Sequence, residues 1–277
     1  MPRRRPSVSN PPPASPPGSA RAISSASSSV TPSSRCSASW VRRATSASPS
    51  PALGPTITSS SRWAWTWCWK GSGAAATNVR GAILAGGGAT RYGGRPKGLL
   101  DVGGRRILDR VVDAVTAAVG APPLLVANAP DAAAWRPDLA TVPDAEPGLG
   151  SVGGIYTAVA AGDDPVLCVA WDMPFLTAAL LRTLVDGAAG YDVFLPESDS
   201  RRGLEPLCAV YGPACRAAIE RQLARGDRRA IGFHLEVKVG TLPLERVRAF
   251  GDPAELFLNV NRPEDLQRAE AVWRRRG

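Results

Sequence analysis

Short apolar runs and amphipathic stretches alternate along the chain from residue 79 onwards. The apolar runs have the length of strands and lie at 79–85, 123–128, 165–171, 192–196, 207–211 and 255–260. Between them, apolar positions recur with helical spacing at 107–119, 151–161, 177–189, 213–225 and 263–276. Strands that alternate with helices in this way predict an α/β domain with a mostly parallel sheet.

Residues 1–78 have a different composition. They contain 20 Ser and 11 Pro, with few large aliphatic side chains and no regular periodicity between residues 7 and 61. Such a segment cannot bury enough apolar surface to offset the loss of chain entropy on folding. The sequence therefore predicts a disordered tail over 1–78, followed by one folded domain over 79–277.

Three interpretations of this tail stay open. Its Arg- and Ser-rich, acid-free composition is typical of a transit peptide, and its charge would also suit a polyanion-binding arm. The third interpretation is translation from a start codon upstream of the true one, which could fall near Val79. The tail has no apolar core of the kind found in secretory signals.

The positions of the charged residues and cysteines indicate which kinds of partner and which compartment the folded part suits. The net charge is +9, but residues 1–80 hold ten Lys or Arg and no Asp or Glu. The remainder holds 23 basic and 24 acidic residues, so the folded part shows no general attraction to nucleic acid. Five cysteines without a CxxC pair favour a reducing, cytoplasmic location. No apolar run is long enough to span a membrane.

A glycine-rich loop follows the first apolar run, in the order GGGATRYGGRPK from Gly86 to Lys97. Glycines allow backbone N–H groups to approach an anion, and Arg91 and Lys97 offer charges for phosphate oxygens. The spacing fits neither the dinucleotide fingerprint GxGxxG nor the P-loop. The loop predicts a triphosphate site, although a surface turn with solvated charges remains the alternative.

Two further polar positions follow apolar runs. Asp172 ends the run 165–171, where a carboxylate can hold Mg²⁺ against substrate phosphates or cap the next turn. Asn259 and Asn261 lie two residues apart in LFLNVNR, so a strand there would place both on one face. We expect them to contact phosphate, a heterocycle or metal-bound water, or to cap the helix that begins at Pro263.

Four segments together resemble the MobA-like family of molybdenum cofactor guanylyltransferases. They are LAGGGATRYGGRPKGLL at 84–100, WDMPFL at 171–176, EPLCAVY at 205–211 and NVNRPEDL at 259–266. The resemblance covers residues 79–277 and implies a Rossmann-like, three-layer nucleotidyltransferase fold. It also implies transfer of GMP from Mg²⁺-bound GTP to molybdenum-bearing molybdopterin, with release of pyrophosphate.

The resemblance also implies roles for individual residues. Lys97 and Asp172 would be catalytic, and Asp172 would hold Mg²⁺. Arg91 is expected to join them as a catalytic residue because its planar guanidinium suits phosphate oxygens. The residues that would contact the nucleotide are Leu84, Ala85, Gly86, Gly87, Lys97, Asn128, Asp144 and Asp172. Molybdenum-insertion proteins and molybdoenzyme chaperones are the implied protein partners, and neither nucleic acid nor membrane is expected.

Several alternative functions stay open. A cytidylyltransferase acting on the same pterin usually has LAAG in the loop, whereas this chain has LAGG at 84–87. A sugar-phosphate nucleotidyltransferase, a non-catalytic nucleotide-binding module and a nucleic-acid binder that acts through the tail are the other candidates. Glu205, Arg201 and Arg202 could line the acceptor side or form a solvated loop. His234, the one histidine, is expected to be structural.

Overall fold

The computed structural model describes residues 78–86 and 96–277. Within them, the strands are β1 Arg80–Leu84, β2 Asp101–Val102, β3 Arg105–Arg106, β4 Leu124–Val126, β5 Thr141–Val142, β6 Val166–Ala170, β7 Val193–Pro196, β8 Cys208–Tyr211 and β9 Val239–Leu242. The α-helices are α1 Ile107–Val119, α2 Ala132–Trp135, α3 Ser151–Ala160, α4 Ala178–Gly187, α5 Cys215–Ala224, α6 Leu244–Arg248, α7 Pro253–Leu256 and α8 Pro263–Arg276. Short 3-10 segments cover Lys97–Leu99 and Gly232–Glu236.

Seven strands form one sheet in the order β5-β4-β1-β6-β8-β7-β9. Neighbours are parallel except at β8, which runs antiparallel to both β6 and β7. The prediction of a mostly parallel sheet is therefore confirmed. The carboxyl ends of β1, β4, β5, β6, β7 and β9 share one edge, and β8 starts at that edge.

Helices cover both faces of this sheet and make three layers. One apolar core joins the sheet to α1, α4 and α8, and a second joins it to α3 and α5. The central strand β6 is buried along its whole length. Its side chains alternate between the two cores, with Leu167 and Val169 in the first and Val166 and Cys168 in the second.

Most of the elements predicted from periodicity are confirmed, but the strand predicted at 255–260 is wrong. The chain forms α7 there and then continues without regular structure through Asn261. Asp252 explains the start of α7, because its side chain accepts a hydrogen bond from the N–H of Ala254 at 2.9 Å. Pro253 occupies the first helical position, where proline is favoured. These local signals outweigh the apolar run that follows them.

The two-stranded hairpin β2–β3 was not predicted. Gly103 and Gly104 form its turn with φ values of +58° and +72°, a conformation that glycine adopts without steric cost. The Trp273 ring of α8 lies against Gly103, where a Cβ would meet its Nε1 at 2.1 Å. The hairpin is thus held by the last helix.

None of the helices in the described residues is both long and apolar enough to cross a membrane. The predicted tail falls almost wholly in residues 1–77, which lie outside the described residues, so its disorder stays a prediction.

Candidate functional site

A cavity of about 520 Å³ lies at the edge of the sheet where the parallel strands end. This volume is within the range of small-molecule sites, and α/β sheets commonly bind ligands at this edge. Eight of the eleven predicted site residues line it: Leu84, Gly86, Lys97, Asn128, Asp144, Asp172, Asn259 and Asn261. The topology therefore brings together residues that are up to 177 positions apart in the sequence.

Lys97 lies between a carboxylate and a carboxamide in this cavity. Its Nζ donates to Oδ2 of Asp172 at 3.2 Å and to Oδ1 of Asn261 at 2.6 Å. The side chains of Lys97 and Asp172 are only 12% and 8% exposed. Burial raises the pKa of Asp172, and the nearby ammonium of Lys97 opposes that rise. The pair is largely desolvated, so its charges act strongly on any ligand that enters.

Backbone hydrogen bonds fix the segment that carries the two asparagines. The N–H of Val260 donates to the carbonyl of Asp172 at 2.9 Å, which ties this segment to the end of β6. Asp265 accepts from the N–H groups of Asn261 and Arg262 at 2.9 and 2.8 Å, and so caps α8. The same contacts hold Asn261 against Lys97. Asn259 and Asn261 therefore both reach the cavity, although they do so from irregular backbone.

The turn that carries Lys97 packs against a tryptophan at the end of β6. A Cβ on Gly98 would lie 2.4 Å from Cε3 of Trp171, so this position has room only for glycine. Trp171 in turn stacks on Trp135 with ring centroids 5.2 Å apart. This close packing fixes Lys97 relative to Asp172, which follows Trp171 directly in the chain.

Asn128 and Asp144 form a reciprocal pair where β4 and β5 end. Nδ2 of Asn128 donates to Oδ2 of Asp144 at 2.7 Å, and the N–H of Asp144 donates to Oδ1 of Asn128, also at 2.7 Å. The two strands are parallel neighbours, so their following residues meet. The pair presents a carboxylate to the cavity where β4 and β5 end.

The start of α3 is a part of the cavity that sequence reasoning missed. Gly148, Gly150, Ser151 and Gly154 line the cavity, and Gly150 caps the helix with φ +66°. The first N–H groups of a helix have no partner within it, and that end carries partial positive charge. Such a terminus suits an anionic ligand. The run GLGSVGG at 148–154 was the signal that could have identified it.

The other three predicted site residues are Ala85, Gly87 and Arg91. Gly87 and Arg91 fall in residues 87–95, outside the described residues, so their roles stay predictions. Ala85 is buried, and its N–H donates to the carbonyl of Val126 at 2.8 Å. Ala85 thus packs next to the cavity without lining it.

His234 lies away from this cavity, as expected of a structural residue. Its ring packs edge-on against Phe233, with centroids 4.8 Å apart. Burial lowers its pKa to about 4. Its Nε2 is buried and has no hydrogen-bond partner among the residues that the structure describes.

The three-layer fold and a charged cavity at the strand ends define a nucleotide-binding α/β protein of the nucleotidyltransferase class. Residues 81–238 match the MobA-like NTP transferase domain, and the chain belongs to this family. It is accordingly an enzyme that transfers a nucleotidyl group.

Named relatives and a solved structure agree with this assignment. A "Molybdenum cofactor guanylyltransferase" from Desulfosudis oleivorans is 38% identical over 197 residues, covering 70% of this chain and 95% of that protein. A "Probable molybdenum cofactor guanylyltransferase" from Pelotomaculum thermopropionicum is 35% identical over 193 residues, covering 69% and 92%. The crystal structure of molybdopterin-guanine dinucleotide biosynthesis protein A from Archaeoglobus fulgidus has a TM-score of 0.61 at 27% identity, covering 71% of this chain and all of that one.

Proposed function

We propose that this protein transfers GMP from GTP to the phosphate of molybdenum-bearing molybdopterin and releases pyrophosphate. The observation that carries the proposal is the buried contact of Lys97 with Asp172 and Asn261 beside the start of α3. Relatives that are 35% and 38% identical carry the name of this activity. A desolvated cation and a helix terminus would neutralise a triphosphate, and a carboxylate there would anchor its metal.

The reaction needs positioning more than proton transfer. An oxygen of the acceptor phosphate attacks the α-phosphorus of GTP, a new P–O bond forms, and the bond to the β-phosphate oxygen breaks. The attacking oxygen is already anionic at neutral pH, so no general base is required. Lys97 would stabilise the charge that accumulates on the phosphate oxygens, and the first turn of α3 would hold the triphosphate in line. The predicted catalytic role of Arg91 belongs to this same step.

Mg²⁺ is the metal that this site would hold. Asp172 offers one carboxylate, and the side chains of Asn259 and Asn261 line the same cavity. Among the described residues, no three His, Cys, Asp or Glu side chains cluster as a metal site. This set suits Mg²⁺, which usually takes one or two carboxylates and fills its remaining positions with substrate phosphates and water. When bound, Mg²⁺ would neutralise charge on the triphosphate.

Asp144 and Asn128 would select the base. A carboxylate accepts both N–H groups on the amidine edge of guanine, whereas cytosine and adenine do not present that pair. Asn128 holds Asp144 through two hydrogen bonds of 2.7 Å, which orients the carboxylate before the nucleotide arrives. Guanine preference also agrees with LAGG at 84–87.

The test is pyrophosphate release with each of GTP, CTP, ATP and UTP, with and without molybdopterin. We expect release with GTP that depends on the acceptor. Equal or better use of CTP would instead indicate a cytidylyltransferase. Binding of GTP with no release under any condition would indicate a nucleotide-binding module without catalysis.

We also propose that residues 79–277 form the nucleotidyltransferase domain. Its cores and cavity are built from the described residues of that range. A chain that starts at Asn78 should keep the melting temperature and GMP-transfer rate of the full-length protein. Lost activity on this truncation would contradict the proposal and assign a function to the tail.

We propose a cytoplasmic location because the described cysteines form no disulfide. Cys168, Cys208 and Cys215 are buried and free, which suits a reducing compartment. Fractionation of the cells that produce the protein should place it with cytoplasmic markers.

Affinity capture from the same fraction would test for molybdenum-insertion proteins and molybdoenzyme chaperones as partners.

A further inference from the structure

A second cavity, of about 340 Å³, adjoins the nucleotide cavity and shares Ser151, Leu207 and Asn259 with it. A third, of about 240 Å³, follows and shares Ser200, Glu205 and Asn259 with the second. Because Asn259 borders all three, they lie side by side along the same edge of the sheet. The proposed nucleotide site therefore continues into space large enough for the other substrate.

Glu205 lies at the wall between the second and third cavities. The backbone holds it firmly, since its N–H donates to the carbonyl of Pro196 at 3.1 Å and its carbonyl accepts from Cys208 at 3.1 Å. A β-bridge between Glu197 and Leu204 closes the hairpin just before it. Glu205 is thus placed by the register of β7 and β8 rather than by a free loop.

The carboxylate of Glu205 is half-buried, and the positive charge of the exposed Arg202 acts on it. No salt bridge to it is found among the described residues. Burial raises its pKa, and the nearby hydroxyls of Ser198 and Ser200 and the guanidinium of Arg202 oppose that rise. A partly desolvated carboxylate that forms no salt bridge among the described residues has acceptor capacity left for a ligand.

The surroundings of Glu205 favour one end of the acceptor over the other. Met173, Leu204, Pro206 and Leu207 supply apolar walls to the second cavity, which suit a flat ring. A carboxylate repels a phosphate, so the phosphate end belongs nearer Asn259 and the nucleotide. The ring end of the acceptor then lies at Glu205.

On the basis of the proposed function, we infer that Glu205 binds the pyrimidine edge of the acceptor pterin. One carboxylate oxygen accepts from the ring N3–H and the other from the 2-amino group, a bidentate arrangement of charge-assisted bonds. Arg201 and Arg202, which are exposed at the rim of the second cavity, attract the anionic acceptor into it. Glu205 is therefore a specificity-determining residue of the acceptor site.

The first experiment measures binding of two fluorescent probes, 6-hydroxymethylpterin and lumazine, to the full-length protein. Lumazine has a carbonyl in place of the 2-amino group, so it offers the carboxylate one donor where the pterin offers two. We expect wild type to bind the pterin about tenfold or more tightly than lumazine. Glu205→Gln replaces one acceptor with a donor and should reverse that preference. Equal binding of the two probes by wild type would overturn the inference.

Glu197→Gln is the matched control. It makes the same carboxylate-to-amide change on the same hairpin, but Glu197 accepts from Thr241 Oγ1 and the N–H of Leu244 instead of lining these cavities. This variant should keep the wild-type preference for the pterin. A preference unchanged in Glu205→Gln, in protein that melts at the wild-type temperature, would exclude Glu205 from the acceptor site.

The second experiment measures GMP transfer to molybdopterin. Glu205→Gln should raise the KM for molybdopterin about tenfold and leave the KM for GTP unchanged, because Glu205 contacts only the acceptor. An unchanged KM for molybdopterin would contradict the inference while leaving the proposed function intact. A wild-type protein that releases no pyrophosphate with GTP and molybdopterin would contradict the proposed function itself.

Discussion

The two halves of the sheet present their polar residues to the cleft in different ways. In the parallel half, β5-β4-β1-β6, charged and amide side chains follow the strands that position them, as Asn128 follows β4 and Asp172 follows β6. In the other half, β8 runs antiparallel, so Glu205 and Leu207 come before their strand. The nucleotide side therefore leaves a strand-then-motif pattern in the sequence, and the acceptor side does not.

The halves also differ in how their charges are satisfied. Lys97 and Asp172 in the parallel half are paired at 3.2 Å and almost completely buried. Glu205 in the antiparallel half faces two serine hydroxyls and two cavities. This difference agrees with the proposed roles. Lys97 and Asp172 must hold a charged triphosphate in one geometry, whereas Glu205 must accept a neutral ring.

Among variants of the parallel half, Asp172→Ala is expected to have the largest effect on activity. If Asp172 anchors the metal on the triphosphate, kcat should fall about 100-fold or more. The fold should persist, as measured by circular dichroism. Asp163→Ala, on an exposed turn, is the control and should behave as wild type. Near-normal turnover in Asp172→Ala would remove this residue from the mechanism.

Lys97→Ala tests the same half through its cation. Loss of a charge-assisted contact to phosphate should lower kcat/KM for GTP about 10- to 100-fold. Lys97→Arg should recover only part of the loss, because a planar guanidinium does not fit the place of a compact ammonium. Lys238→Ala, which removes an exposed ammonium at β9, is the matched control. Wild-type kinetics in Lys97→Ala would indicate that the loop is only a turn.

Gly98→Ala tests whether packing against Trp171 fixes the position of Lys97 in the parallel half. The added Cβ would collide with Trp171, so we expect a loss of about 1–3 kcal/mol in the free energy of unfolding. Urea denaturation measures this loss. Trp171→Leu removes the ring, so the double variant should lose less than the sum of the two single variants. Strict additivity would show that the ring and Gly98 do not constrain each other.

His234→Phe gives the smallest expected effect and concerns the antiparallel half. Burial lowers the pKa of His234 from 6.5 to about 4, so the unfolded chain binds more protons between these values. Stability from this residue is therefore present above pH 6.5 and is lost as the pH falls towards 4. Since the ring is partly exposed, we expect a change of about 1–2 kcal/mol. Thermal melts should show a shallower pH dependence in His234→Phe, and identical slopes would contradict the assignment.

Local patterns in the sequence were sufficient for most of the fold. The helices at 107–119 and 263–276 have the predicted bounds, because helical periodicity and a proline at the first turn both act locally. The segment 255–260 was wrongly predicted as a strand, because its apolar run was weighed above the Asp-Pro start of α7. The hairpin at Gly103 and Gly104 was missed, because strands of two residues are too short to show alternation.

The candidate site, like the fold, was predicted from the sequence only in part. Residue chemistry was enough to predict the glycine-rich loop, Lys97, Asp172 and the two late asparagines as parts of a site, because phosphate and metal chemistry restricts the residue types that can serve. The fold alone shows three further features: Lys97 contacts Asp172 and Asn261, Asn128 holds Asp144, and Glu205 separates two cavities. These contacts join residues far apart in the chain, and the order and direction of strands in the sheet set which of them meet.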